Sequence, residues 1–162
     1  MFGYVEWVLG PPRFGERRFV VTERDASSGA ILARNAYNTD FKDRVAFLCA
    51  TEPARSFTCD RADFIGRNRT LAAPAGLFRE SLDGEQGAGL DPCGALQIAI
   101  EIPPGETRRV AFVLGQGSDA SHTVALAARY SQLSEVDAAI ARSERLWEDT
   151  LGAIQVLSLI HI

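Results

Sequence analysis

Apolar and polar side chains alternate with a period of two through most of the first 118 residues, in short runs that recur roughly every ten residues. Residues 4–9, 18–22, 31–34, 44–50 and 56–60 each read as a strand with one face turned to a core. Gly10-Pro11-Pro12, residues 25–29 and residues 38–43 carry turn chemistry between them, which is the spacing of an antiparallel β-sandwich. The alternation is clearest in LQIAIEI-PPGET-RRVAFVL (residues 96–114). Leu96, Ile98, Ile100 and Ile102 alternate on one arm and Val110, Phe112 and Leu114 on the other, and Pro103, Pro104 and Gly105 force a break between them, so the pattern predicts a β-hairpin.

Two stretches depart from this period. Residues 63–92 are rich in Gly, Asp and Arg with scattered leucines and read as a long excursion that wraps an edge of the sheets. After Gly117 the period becomes 3.6. Residues 121–130 predict a short helix, and a second begins with Ser134 as N-cap and Asp137 three positions later. Val136, Ile140, Trp147 and Leu151 fall within about 60° on a helical wheel, and Gly152 stops the helix. That stripe must dock on something, either the sandwich or a following domain, and Trp147 on it reads as core. Trp7, inside YVEWVLG, reads as core or sheet packing.

At 162 residues the chain has room for one domain with a sizeable core, and a hydrophobic content of 46% excludes a disordered chain. Seventeen basic and 21 acidic residues give a net charge of -4 with no basic cluster beyond Arg17-Arg18, Arg67 with Arg69, and Arg108-Arg109, which argues against nucleic acid as a partner. No apolar run approaches the roughly 20 residues of a membrane helix, and the first residues lack a signal-peptide layout, so no membrane contact is expected of this stretch and its expected location is cytoplasmic. Cys49, Cys59 and Cys93 form no CxxC pair and have no neighbouring histidine, so they predict buried free thiols and no metal site, with a Cys49–Cys59 bridge left open.

Five segments in order carry a family resemblance: YVEWVLG (4–10), ARNAYNTDFKDRVAF (33–47), DRADFIGRNRTLAAPAGL (60–77), GAGLDPCGALQIAIEIPPGETRRVAFVLGQG (87–117) and WEDTLGAIQV (147–156). Together they resemble the amino-terminal β-sandwich of glycoside hydrolase family 94, which contains cellobiose and chitobiose phosphorylases and the carboxy-terminal part of cyclic β-1,2-glucan synthases; YVEWVLG and DPCGAL lean towards the synthases. The resemblance implies a "supersandwich" of galactose-mutarotase-like type, a linker helix pair, and then an (α/α)6 barrel that holds the catalytic acid and the phosphate site. It also implies a parent enzyme acting on β-glucans, a possible homodimer, no cofactor, and a parent that could be anchored at the inner membrane. The expected division is a sandwich over residues 1–118, truncated at its front, a helical linker over 119–156 towards a missing barrel, and a tail over 157–162. That tail, LSLIHI, is what CTG-TCT-CTT-ATA-CAC-ATC encodes, a string that resembles a sequencing-library adapter, and it is expected to be non-native.

Inverting phosphorolysis needs one carboxylic acid and an anion cradle. Asp60, Asp63, Glu80, Asp83, Glu85 and Asp91 are the acids in or beside the excursion, and such loop carboxylates are expected to form turns or to be solvated, so no catalytic residue is expected here. For binding, Tyr37 is the best aromatic to stack on a sugar face, while Arg67 and Asn68 supply forked donors that match vicinal hydroxyls. The competing reading of that segment has Asp60, Arg61 and Arg67 forming a charge network that staples the excursion to the sheet. His122 reads as a surface or capping residue, and Gly115-Gln116-Gly117 lacks the rest of a nucleotide loop. The expected function is a non-catalytic accessory domain of a β-glucan phosphorylase or glycosyltransferase, and the alternative is a free-standing carbohydrate-binding module.

Overall fold

A computed structural model describes residues 1–10 and 16–152. Seven strands form two antiparallel sheets: β1 (Phe2–Glu6), β6 (Pro92–Gln97) and β5 (Ser56–Asp60) in one, in the order β1-β6-β5; β2 (Val21–Arg24), β3 (Ile31–Arg34), β4 (Val45–Ala50) and β7 (Phe112–Gly117) in the other, in the order β2-β3-β4-β7. Three helices complete the set: α1 (Arg61–Ile65), α2 (Ala120–Tyr130) and α3 (Leu133–Leu151). The protein is therefore mainly β, a sandwich with helices at its carboxy-terminal end.

The period-two pattern sorts the strands into layers. Val5, Ile31, Ala33, Leu48, Phe57, Cys59, Leu96 and Phe112 meet with Trp7 and Val20 in the core between the sheets. The alternate residues of β3 and β4, Leu32, Val45, Phe47 and Cys49, face outward and are covered by Val124, Leu126 and Ala127 of α2. On the far side, Phe2, Tyr4 and Ala95 carry Phe64, Ile65 and Leu82 of α1 and the excursion. Four layers result, with the inner strands β3, β4 and β6 largely buried on both faces, and each fully buried Leu, Ile or Phe contributes about 1.5–3 kcal/mol relative to an exposed one.

Glycines let these layers approach. A Cβ on Gly3 would lie 2.3 Å from the Phe112 ring across the inter-sheet core, and one on Gly94 would lie 3.0 Å from Trp7. On the outer face Gly117 of β7 does the same job against Thr123 of α2, while Gly115 makes room for the ring of its cross-strand partner Phe47 in the same sheet, which is the structural use of the Gly-Gln-Gly run. Thr123 at the start of α2 is fully buried and donates its hydroxyl to Val45 O (3.1 Å), tying the helix to β4.

Several expectations are corrected. The arms predicted as one hairpin belong to different sheets: β6 lies between β1 and β5, and β7 pairs with β4. Alternation fixes which face of a strand is buried, not which neighbour it finds. Residues 98–111 carry the chain from one sheet to the other, with a turn in which Glu106 N donates to Pro103 O (3.1 Å). Ile102 on this crossing is exposed, so its place in the alternation buries nothing. The first strand begins at Phe2 rather than Tyr4, and residues 16–19 form a 3-10 turn ahead of β2. Helix α3 starts one residue before Ser134, with Gln132 in the N-cap position and no side-chain cap; Gln132 O accepts from Glu135 N and Val136 N.

Trp7 is in the core, 2% exposed, but Trp147 is not: it is 58% exposed, alongside Ile140 at 52% and Leu151 at 62%. No residue of α3 is buried. The helix leans on the rest of the fold through its first turns and through ion pairs from Asp137 to Arg109 (2.6 Å) and from Glu135 to Arg129 (2.6 Å), and from Arg142 to Leu151 it stands in solvent. The stripe is present but uncovered, because α2 has already taken the outer face of the four-stranded sheet. Residues 153–162, including the expected tail, lie outside the described residues.

All three cysteines are buried and free. A Cys49–Cys59 bridge does not form, since Cys49 faces outward beneath α2 while Cys59 faces the core between the sheets. Burial pushes the Cys49 and Cys59 thiols up to about 11 and raises Cys93 further.

Two outcomes are expected. Gly3→Ala overpacks the core against Phe112 and lowers the unfolding free energy by about 1–3 kcal/mol in urea titrations, part of which Phe112→Leu in the same background restores. Native protein at neutral pH reacts negligibly with an aromatic disulfide reagent at all three thiols, and labelling appears only with unfolding.

Candidate functional site

Five of the acids in or beside the excursion have a structural task. Asp60 caps α1, its carboxylate accepting from Ala62 N (2.9 Å). Asp63 is ion-paired with Arg79 in a largely buried position. Glu80 pairs with Arg55 (2.8 Å), and Asp83 accepts from Glu85 N (3.0 Å). Asp91 and Glu6 share Arg61 and Arg17: Arg61 Nε lies 2.9 Å from Glu6, Arg17 lies 3.0 Å from Glu6, and the Asp91 contacts are 3.4 and 3.6 Å. Tyr4 donates its hydroxyl to the same Glu6 (3.0 Å). No cluster of three metal-ligating side chains occurs among the described residues.

A charge network does staple the excursion to the sheet, but with other members than expected. Arg61 is in it, with Glu6 of β1 and Asp91 just before β6 as partners, whereas Asp60 faces the helix it caps. Arg67 is exposed in the turn after α1, in none of the described ion pairs. The sequence hid this arrangement because Arg61 lies 55 residues from Glu6 in the chain, and nothing local marks them as partners.

The three candidate sugar contacts are not brought together. Tyr37 follows β3, its backbone N–H held by Asn35 Oδ1 (3.1 Å), and its ring stacks on Phe19 with centroids 4.0 Å apart and planes 12° from parallel. The ring remains 63% exposed. Arg67 and Asn68 sit after α1, on the outer side of the three-stranded sheet. None of the principal clefts is lined by any of the three. His122 is exposed at the start of α2, where Asp119 is the cap and Ser118 N donates to the His122 ring (3.2 Å).

A cleft that sequence reading missed lies beside the Tyr37 loop, where the seam between the sheets opens. It has a volume of about 250 Å³. Ala46 of β4 and Gln116 of β7 form its floor, the chain after β1 (Val8, Leu9, Gly10) one wall, and Asn38, Phe41 and Arg44 the other. Asn35, 3% exposed, joins the walls: its Nδ2 donates to Leu9 O (2.7 Å) and its Oδ1 holds the Tyr37 N–H. Successive turns fix the loop, Asn38 N to Asn35 O (3.3 Å), Phe41 N to Asn38 O (3.2 Å) and Arg44 N to Phe41 O (2.9 Å). The available signal was the Asn-rich run that includes an apolar Phe41 in an otherwise polar loop.

The Arg61 guanidinium beside Glu6, more than any other cause, holds the Glu6 carboxyl below its ordinary 4.5. A folded-state value depressed in this way contributes stability that is present above 4.5 and lost as pH falls through the lower folded-state value. Glu6→Gln is therefore expected to be destabilising at neutral pH, by up to about 1 kcal/mol for so exposed a pair, and to flatten the decline of the urea midpoint below about pH 4.5. An identical acid limb in both proteins would contradict this.

Similarity to known proteins agrees with this architecture. Residues 1–133 match the family described as "Glycosyl hydrolase 94, supersandwich domain". The chain is similar to cyclic beta-(1,2)-glucan synthase NdvB of Rhizobium meliloti (strain 1021), 30% identical over 157 residues, covering 96% of this chain and 6% of that protein. It is 29% identical over 161 residues to N,N'-diacetylchitobiose phosphorylase of Vibrio furnissii, covering 97% of this chain and 20% of the relative. It is 30% identical over 122 residues to 3-O-beta-D-glucopyranosyl-beta-D-glucuronide phosphorylase of Paenibacillus borealis, covering 72% and 15%. The chain thus spans a fifth or less of the length of these relatives. With a match over residues 1–133 and two doubly covered sheets of the expected class, the chain belongs to the glycosyl hydrolase 94 supersandwich family.

Proposed function

We infer that this chain is the non-catalytic sandwich portion of an enzyme that phosphorolyses or transfers β-linked glucans. Residues 1–118 form its body, and residues 119–156 connect it to a downstream catalytic barrel. The observation that carries the reading is the uncovered stripe of α3, Ile140, Trp147 and Leu151, in a chain that matches a minor part of each relative. A helix of 19 residues with no buried side chain is not stabilised by its own sandwich. Its exposed apolar side chains are what a second layer of helices would bury.

The carboxylates support the same reading. An acid for glycoside cleavage has to be held near the leaving oxygen with a proton available. In the excursion, Asp63, Glu80 and Asp91 are matched with Arg79, Arg55, and the Arg17–Arg61 pair, and Asp60 and Asp83 hold backbone N–H groups. In this assignment α2 fixes the connector to the sandwich and α3 presents the stripe to the barrel. Among the described residues no helix is long and apolar enough to cross a membrane.

The expected result with purified chain, inorganic phosphate and β-1,2-, β-1,3- or β-1,4-linked gluco-oligosaccharides is no sugar 1-phosphate above background; turnover would overturn the reading. The chain is also expected to bind an apolar fluorescent dye at α3, and Ile140→Asp with Trp147→Asp to remove most of that binding while leaving the thermal midpoint of the sandwich unchanged.

A further inference from the structure

We propose that the cleft between the chain after β1 and the β3–β4 loop is a glycan subsite that takes one neutral hexopyranose unit of a β-linked glucan. This rests on the proposed association of the chain with glucans and adds a place and a set of contacts that the accessory role does not require. At about 250 Å³ the cleft is below the roughly 300–1,000 Å³ of sites for drug-sized ligands and suits a single sugar ring with its chain continuing into solvent.

The lining has the composition that such a ring selects. Phe41 is 61% exposed and turned to the cleft, where its ring can cover the C–H face of a pyranose. Val8 and Leu9 supply a second apolar surface opposite. Asn38 engages its Oδ1 with Asp40 N (3.2 Å), which leaves its NH2 for a ligand, and the Gln116 amide rises from the floor. Amides offer a donor and an acceptor side by side, the pattern of two vicinal hydroxyls. Arg44 is the one charged group of the lining among the described residues and adds a forked donor. Among the described residues a phosphate or carboxylate would meet one exposed guanidinium, a contact worth little in water, whereas a neutral ring uses every described wall.

The cleft is also built in advance. Asn35 is almost fully buried, and both ends of its amide are consumed in joining the two walls, by way of Leu9 O and the Tyr37 N–H. Removing it would break both links between the walls, so the shape of the cleft depends on this one buried side chain. Ligand binding then orders few side chains, which favours a shallow site for a weakly binding ligand.

The test is a titration of the isotopically labelled chain with β-1,2- and β-1,4-linked glucotetraose, read by amide chemical shifts. Saturable shifts are expected at Leu9, Gly10, Asn38, Phe41 and Gln116. Phe41→Ala is expected to weaken binding by about tenfold or more, and Gln116→Ala by several-fold, with circular dichroism unchanged. Tyr37→Ala and Arg67→Ala leave the affinity as it was. No saturable shift with either glucan, shifts that map elsewhere, affinity indifferent to both Phe41→Ala and Gln116→Ala, or the same shifts produced by inorganic phosphate alone would each overturn the subsite. Should Phe41→Ala not fold, Gln116→Ala, at an exposed position, decides alone. Failure here leaves the accessory reading intact, while turnover by the chain overturns that reading whether or not the cleft binds.

Discussion

Burial of β3 and β4 on both faces is the constraint on which the rest of the architecture depends. Ile31, Ala33 and Leu48 point into the core between the sheets, and Leu32, Phe47 and Cys49 point out beneath α2. A strand with one wet face needs only its partner sheet; these two need a third layer. That requirement places α2, whose Ala127 is fully buried and whose Thr123 hydroxyl reaches Val45 O. The outer face of the three-stranded sheet makes the same demand and is met by α1 and Leu82, held down by Arg61 and its carboxylate partners.

Once both outer faces are covered, no sheet surface is left for α3. Its apolar stripe is a consequence of the layers being complete rather than a defect in them. The contrast with α2 is instructive, because the two helices are adjacent in sequence and both amphipathic. One buries small residues, Thr123 against Gly117 of β7 and Ala127 against the outer face of β3 and β4; the other carries Ile140, Trp147 and Leu151, which have volume but no facing groove. Two exposed ion pairs at its first turns hold α3 in place, and pairs of that kind contribute no more than about 1 kcal/mol each.

Local signals in the sequence were strong for the existence of elements. Strands at 31–34 and 56–60, the helix ending at Tyr130 and the stop at Gly152 are all legible from period and turn chemistry. Pairing was not legible. LQIAIEI and RRVAFVL alternate as two arms of a hairpin would, yet Leu96 and Phe112 meet in the core from opposite sheets. Two strands facing each other across a sandwich and two strands side by side show the same period, and nothing local distinguishes them. The candidate site fared similarly. Tyr37, Arg67 and Asn68 were chosen by residue type, but a site needs convergence, and the loop at 35–44 converges with residues 8–10 only through Asn35, whose buried amide has no mark in the sequence. Trp147 shows the reverse limit: an amphipathic stripe says that a face wants burial and does not say what provides it.

Amide hydrogen exchange tests this layered account most directly. The expected result is that β3, β4 and β6 exchange only through global unfolding, that α2 follows them because it closes the outer face, and that α3 from Arg142 to Leu151 exchanges orders of magnitude faster. Protection of the distal half of α3 equal to that of β4, or loss of α2 well before the sheet it covers, would contradict it.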